Sequence, residues 1–161
     1  MPVRVDFRTL SPADALDLAV LMEEETRQRY IEFAEMLEEV HHSHDAAAFC
    51  RVMVENEERH GFELLQRRER LYPDTPPRVT ASMLLDVEAP EYDRPVAFMT
   101  PRTCMEMALA AETKAEHFFR DALSFTSNLE VRALLVELAD EEVDHQRMVR
   151  DQLANLPAAQ D

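Results

Sequence analysis

At 161 residues and 18.6 kDa the chain has the size of one domain, expected to span 1–161 and to bury a core without disulfide or metal staples. Its formal net charge of -16 repels nucleic-acid phosphates and anionic lipid surfaces, so neither nucleic acid nor membrane is expected as a partner. A single Gly, no Trp and nine Met favour helix over hairpin-rich sheet, which makes the expected fold class all-α.

No apolar run reaches the roughly 20 residues of a membrane span. The stretch from Met1 to Leu10 also lacks the apolar centre of a signal peptide, and a cytoplasmic protein is expected. Cys50 and Cys104 stand apart with no C-x-x-C, which removes zinc ribbons and rubredoxin-type iron sites and leaves both as small packing residues.

The first helix is expected over about 12–40, opened by Ser11 as N-cap, Pro12 at the first helical position and Asp14 in the first turn. Its inward stripe runs through Leu16, Ala19, Glu23, Tyr30, Phe33 or Ala34, and Leu37, so an acidic residue sits in an apolar seam. After the polar turn His41-His42-Ser43-His44 the second helix covers about 45–71. Phe49, Met53 and Leu64 mark its buried face, with Glu57 and His60 between them.

Residues 72–100 form a long connection that holds Pro73, Pro76, Pro77, Pro90 and Pro95, with room for one short helix at 81–87. A bundle whose second and third helices run parallel needs such a crossover to carry the chain back along its length. The third helix begins at Thr100-Pro101 and reaches about 125. The fourth covers about 128–156, with Ser127 and Glu130 as an expected capping box, and the tail from Pro157 to Asp161 is expected to fray.

Four of the six histidines follow a Glu at three residues' distance, so the motif alone discriminates poorly. Glu38/His41 and Glu39/His42 lie at a helix end beside a polar turn, where a solvated end explains them. His41, His42 and His44 are therefore not expected in any central site. Glu57/His60 and Glu142/His145 lie in mid-helix on apolar stripes.

In an antiparallel hairpin, residues at the same height have the turn near the midpoint of their numbers. Glu23 and Glu57 centre on residue 40, beside the first turn, and Glu112 and Glu142 centre on residue 127, at the second. Each Glu-x-x-His thus lies level with a lone inward Glu on the preceding helix, giving the pseudosymmetric set Glu23, Glu57, His60, Glu112, Glu142 and His145. Four ionised carboxylates in a bundle interior would cost several kcal/mol each without a counterion, which two divalent cations would provide. A donor set of four Glu and two His suits iron or manganese. A metal-free structural bundle is the alternative.

Nearby residues carry less weight. Gly61 costs roughly 1 kcal/mol in a helix interior and leaves room either for a metal cluster or for a tight helix crossing. Tyr30, two turns past Glu23, is placed to hydrogen-bond a ligand carboxylate or simply to pack, and Phe119 holds the matching place after Glu112. Glu116 and Arg27 read as rim charges.

The pattern Glu23-x6-Tyr30, Glu57-x-x-His60, Glu112-x6-Phe119, Glu142-x-x-His145 resembles the rubrerythrin branch of the ferritin-like superfamily over about residues 12–155. The resemblance implies a ferritin-like four-helix bundle with a long crossover between helices 2 and 3. It also implies a non-haem centre of two iron ions held by those six residues, with Glu57 and Glu142 bridging. Rubrerythrins proper add a rubredoxin domain and an extra Glu three residues after the third-helix ligand, where this chain has Ala115. The implied activity is reduction of peroxide or dioxygen with electrons from a separate donor. A ferroxidase or iron-storage protein is the alternative, and a substrate hydroxylase a third. A homodimer suits the enzyme and a larger closed homo-oligomer suits storage.

Overall fold

The computed structural model describes residues 7–83 and 99–157. After a short 3-10 turn at Phe7–Thr9 it contains four long helices, α1 (Pro12–Glu39), α2 (His44–Leu71), α3 (Pro101–Phe125) and α4 (Leu129–Asn155), and no strand among the described residues.

The helix starts follow local chemistry. The Ser11 hydroxyl accepts from the Asp14 amide and the Asp14 carboxylate accepts from the Ser11 amide, each at 3.1 Å, a reciprocal cap with Pro12 just inside it. Thr100 caps α3 by accepting from the Thr103 amide at 3.1 Å, again ahead of a proline. At α4 the expected Ser127/Glu130 box does not form. Asn128 is the N-cap instead, and its Oδ1 accepts from the Glu130 and Val131 amides at 3.0 and 3.1 Å. Asn caps as well as Ser does, and Arg67 and Arg70 of α2 draw the Glu130 carboxylate away.

Contacts at the two ends fix the direction of every helix. Arg68, near the end of α2, forms a two-pronged ion pair with Asp17, near the start of α1, at 2.8 and 3.1 Å. Arg67 and Arg70 bring the same end of α2 to the first turn of α4 through Glu130. At the opposite end, His41 bonds through Nε2 to the Met99 carbonyl at 2.8 Å, just ahead of α3, and Arg102 donates to the Pro157 carbonyl at 3.1 Å. Thus α1/α2 and α3/α4 are antiparallel hairpins while α2 and α3 run parallel, and the end of α2 lies at the opposite end of the bundle from the start of α3. Arg68 also donates to the Tyr72 and Thr75 carbonyls, anchoring the start of the connection between them. The expected short helix at 81–87 falls mostly beyond Met83, outside the described residues, as does the tail after Pro157.

The core is divided along the bundle axis. One apolar cluster gathers Leu16, Met22, Leu64, Phe118, Phe119 and Leu135 at the end where α4 begins. A second gathers Tyr30, Phe33, Leu37, Cys50, Met53, Cys104 and Met105 towards the α1/α2 turn. Both cysteines are fully buried free thiols, which burial pushes up to about 12, in keeping with packing roles. No helix among the described residues is long and apolar enough to cross a membrane.

Candidate metal centre

Between the two clusters lies a layer of acid and imidazole. Glu23 of α1, Glu57 and His60 of α2, Glu112 of α3, and Glu142 and His145 of α4 are all buried, none more than 4% exposed. Helical spacing explains why they meet, since Glu57/His60 and Glu142/His145 are one turn apart on the inward stripe of their helices. The antiparallel pairing then sets each pair level with the lone Glu of its partner helix.

The geometry has a two-fold pattern. His60 Nδ1 faces Glu23, Glu57 and Glu142 at 3.6, 3.8 and 3.6 Å. His145 Nδ1 faces Glu112, Glu57 and Glu142 at 3.4, 3.2 and 3.5 Å. Each imidazole thus has one carboxylate of its own, Glu23 or Glu112, and both share Glu57 and Glu142. The two rings stack with centroids 5.2 Å apart and planes within 9°. One donor atom from each of Glu57, His60, Glu142 and His145 lies within 4.8 Å of the others, a span on which a metal ion can be held.

Whether the residues fit metal is answered by hydrogen bonding. Nine buried side-chain polar atoms among the described residues have no hydrogen-bond partner, and eight of them belong to these six residues: both oxygens of Glu23 and Glu142, Glu57 Oε1, Glu112 Oε2 and both Nδ1 atoms. Buried polar atoms are nearly always paired, so such a concentration of convergent oxygen and nitrogen donors fits divalent cations.

The electrostatics agree. Burial pushes the carboxyls of Glu23, Glu57 and Glu142 well above their ordinary range, with repulsion between neighbouring carboxylates adding to it. Burial pushes Glu112 up as well, but close contact with Glu142 and His145 and the Tyr30 hydroxyl outweighs that and holds it low. Burial opposes charge on His60 and His145, yet the carboxylates around them prevail and raise both. Without cations the layer collects protons as its countercharge.

The surroundings of the two halves differ. The Tyr30 hydroxyl donates to Glu112 Oε1 at 2.5 Å, reaching across to α3 rather than to Glu23 on its own helix. Burial among carboxylates pushes the phenol well up, so it keeps the proton it donates. His60 Nε2 contacts Glu141 on one side of the ring, while Nδ1 faces the three inward carboxylates. Sequence reasoning missed Glu141, which lies one residue off the inward stripe and carries no periodic signal. Glu116 accepts from Gln146 at 2.9 Å and from Arg120 at 2.7 Å, and Arg27 pairs with Glu24, so both are rim charges as expected. His41 sits in the α1/α2 turn and His44 is the first residue of α2, 3.9 Å from Glu38, both at the end of the bundle away from the acidic layer. His42, in the same turn as His41, takes the left-handed conformation at φ 51°.

The Rubrerythrin family model matches residues 14–153. The crystal structure of an uncharacterized conserved protein from Magnetospirillum magnetotacticum MS-1 shares the fold with a TM-score of 0.78 at 24% identity, over 94% of this chain and 99% of that one. Comparison with curated proteins finds no match.

Proposed function

The chain belongs to the rubrerythrin family, and from that premise we propose that it is a non-haem diiron oxidoreductase that reduces peroxide or dioxygen with electrons from a separate donor. The observation that carries this is the pair of inward Nδ1 atoms, each facing three carboxylates, with Glu57 and Glu142 common to both. On this proposal Glu23, Glu57, His60, Glu112, Glu142 and His145 would hold two iron ions, with Glu57 and Glu142 common to both halves of the site. Two such ions would supply the two electrons that reduction of a small oxidant needs.

The chain's own residues do the rest. Tyr30 fixes the direction of the Glu112 carboxylate through its hydroxyl. Glu141 holds the His60 ring with Nδ1 inward. The apolar clusters on either side keep bulk water from the layer, which strengthens every electrostatic contact within it.

The test is metal analysis of protein loaded with ferrous iron without oxygen, followed by mixing with peroxide and, separately, with dioxygen. Two irons per chain and catalytic turnover of one oxidant in the presence of a reductant are expected. Fewer than two irons, or oxidation without turnover, would overturn the enzyme proposal. Accumulation of many irons per chain would instead favour storage.

A further inference from the structure

The lone glycine of the chain stands in mid-α2, directly after His60, and nothing in the packing requires it. Its backbone is ordinary helix, and a Cβ added there would meet nothing closer than Glu23 Cβ at 3.8 Å, an ordinary van der Waals contact. The tight helix crossing that a mid-helix glycine often marks is therefore absent, while the helix still bears a cost of about 1 kcal/mol relative to Ala.

What the missing side chain leaves is space. A groove of about 240 Å³ runs between α1 and α2 beside Gly61, and among the residues lining it only Glu57 is buried. Val20, Phe62 and Leu65 form its apolar walls, with Phe62 60% exposed at the mouth. Glu24 and Glu58 stand at the rim against the single guanidinium of Arg27, which is held to Glu24 at 2.7 and 3.0 Å. The rim therefore carries excess negative charge, and Glu57 Oε1 is one of the unpartnered buried oxygens.

The equivalent place on the other hairpin is filled. The residue after His145 is Gln146, 5% exposed, whose amide is tied to Glu116 at 2.9 Å. A larger surface groove along α2, about 590 Å³ and lined by Glu63, Arg67 and Arg70 among others, includes none of the six acidic-layer residues.

We infer that the groove over Gly61 is the passage by which a divalent cation enters the centre, passing from the Glu24/Glu58 rim to Glu57. This rests on the metal-centre proposal and adds a route and a polarity to it. The cation arrives from the α1/α2 side, and the Gln146/Glu116 pair closes the α3/α4 side.

The test uses the full metal-free chain and Co²⁺, whose visible absorption reports both occupancy and rate of filling. Gly61→Leu should slow filling roughly tenfold or more while the final occupancy remains two per chain. Leu65→Trp, which changes only the exposed wall, should slow it too and guards against a Gly61 variant that does not fold. Arg27→Gln should speed filling several-fold, an effect that shrinks as salt is added. Apo Gly61→Ala should melt no lower than apo wild type, since no contact requires the glycine. Filling at the wild-type rate in folded Gly61→Leu or in Leu65→Trp would overturn the passage. If the wild type takes up no Co²⁺ at all, the metal-centre proposal itself fails.

Discussion

In the α1/α2 hairpin a tyrosine stands two turns beyond the lone inward glutamate. In α3/α4 the matching residue is Phe119, edge-on to Phe118 with centroids 5.6 Å apart and unable to donate. The residue before the Glu-x-x-His motif is Asn56 on α2, which turns to the Met53 sulfur, and Glu141 on α4, which reaches His60. The residue after it is Gly61 on one and a hydrogen-bonded Gln146 on the other. The six inward donors obey the repeat, as the proposed pair of cations would demand of matching ligand sets. Everything one layer out differs between the hairpins, so on the metal-centre proposal the two metal positions are chemically inequivalent.

The largest expected effect separates shared from private carboxylates. Glu57→Ala or Glu142→Ala should remove both metals, whereas Glu23→Ala or Glu112→Ala should leave one of the two, as counted by metal analysis after dialysis. The apo Glu57→Ala variant should melt no lower than apo wild type near neutral pH, because it loses a buried carboxyl that must either be held protonated above its ordinary range or carry a charge without a counterion. Equal metal loss from all four variants would erase the distinction between shared and private ligands.

Acid probes the same layer as a whole. Glu23, Glu57 and Glu142 have folded pKa values above their unfolded ones, so their contribution is intact below the unfolded carboxylate range and is lost as pH climbs through the folded values. The raised histidines act in the same direction above the ordinary imidazole range. Glu112, held low, acts oppositely, and its contribution is lost only as pH falls into the acid range. Urea midpoints of the apo protein should therefore fall from about pH 5 to about pH 8, while the gain from added metal grows over the same window as protons cease to compete. An apo midpoint that rises with pH would show that the carboxylates are already paired by other means.

A smaller effect should follow from making the hairpins alike. Tyr30→Phe removes the donor to Glu112 and should weaken one of the two metals by about tenfold, leaving the other unchanged in a Co²⁺ titration. Phe119→Tyr, which offers a hydroxyl at the matching position on α3, tests whether the other site tightens. Equal weakening of both sites by Tyr30→Phe would mean that the tyrosine serves the bundle and not one position. The smallest expected effect lies at the α3/α4 turn, where Asn128→Ala should cost about 1 kcal/mol and Ser127→Ala only a few tenths in thermal melts.

How much of this the sequence discloses depends on what each residue answers to. The convergence of Glu23 with Glu57, and of Glu112 with Glu142, was legible because turn position and helical period together fix height and face. The parallel run of α2 and α3 was legible from the proline-rich length between them. Tyr30 was placed correctly in height, but its partner was not foreseeable, because hydrophobic periodicity does not say whether α1 lies beside α3 or across from it. Glu141 escaped for the same reason, since its role depends on α2 being the neighbour of α4. Asn128 was misjudged because two good capping residues stand side by side, and the choice between them turned on arginines in a distant helix.

The division of the core into two apolar clusters has a consequence for how the protein comes apart. Each cluster draws on all four helices, and among the described residues the acidic tier lies between them. Without cations that tier is a seam of carboxyls and imidazoles with no other countercharge than protons, and each half of the bundle is expected to open as its own folding unit. On the metal-centre proposal, bound cations would tie six side chains on four helices at mid-height, and neither end could then loosen without straining the other. The centre would then set the cooperativity of the whole chain, and amide exchange at the two ends, expected to be separate in the apo protein, should become a single event once metal is bound.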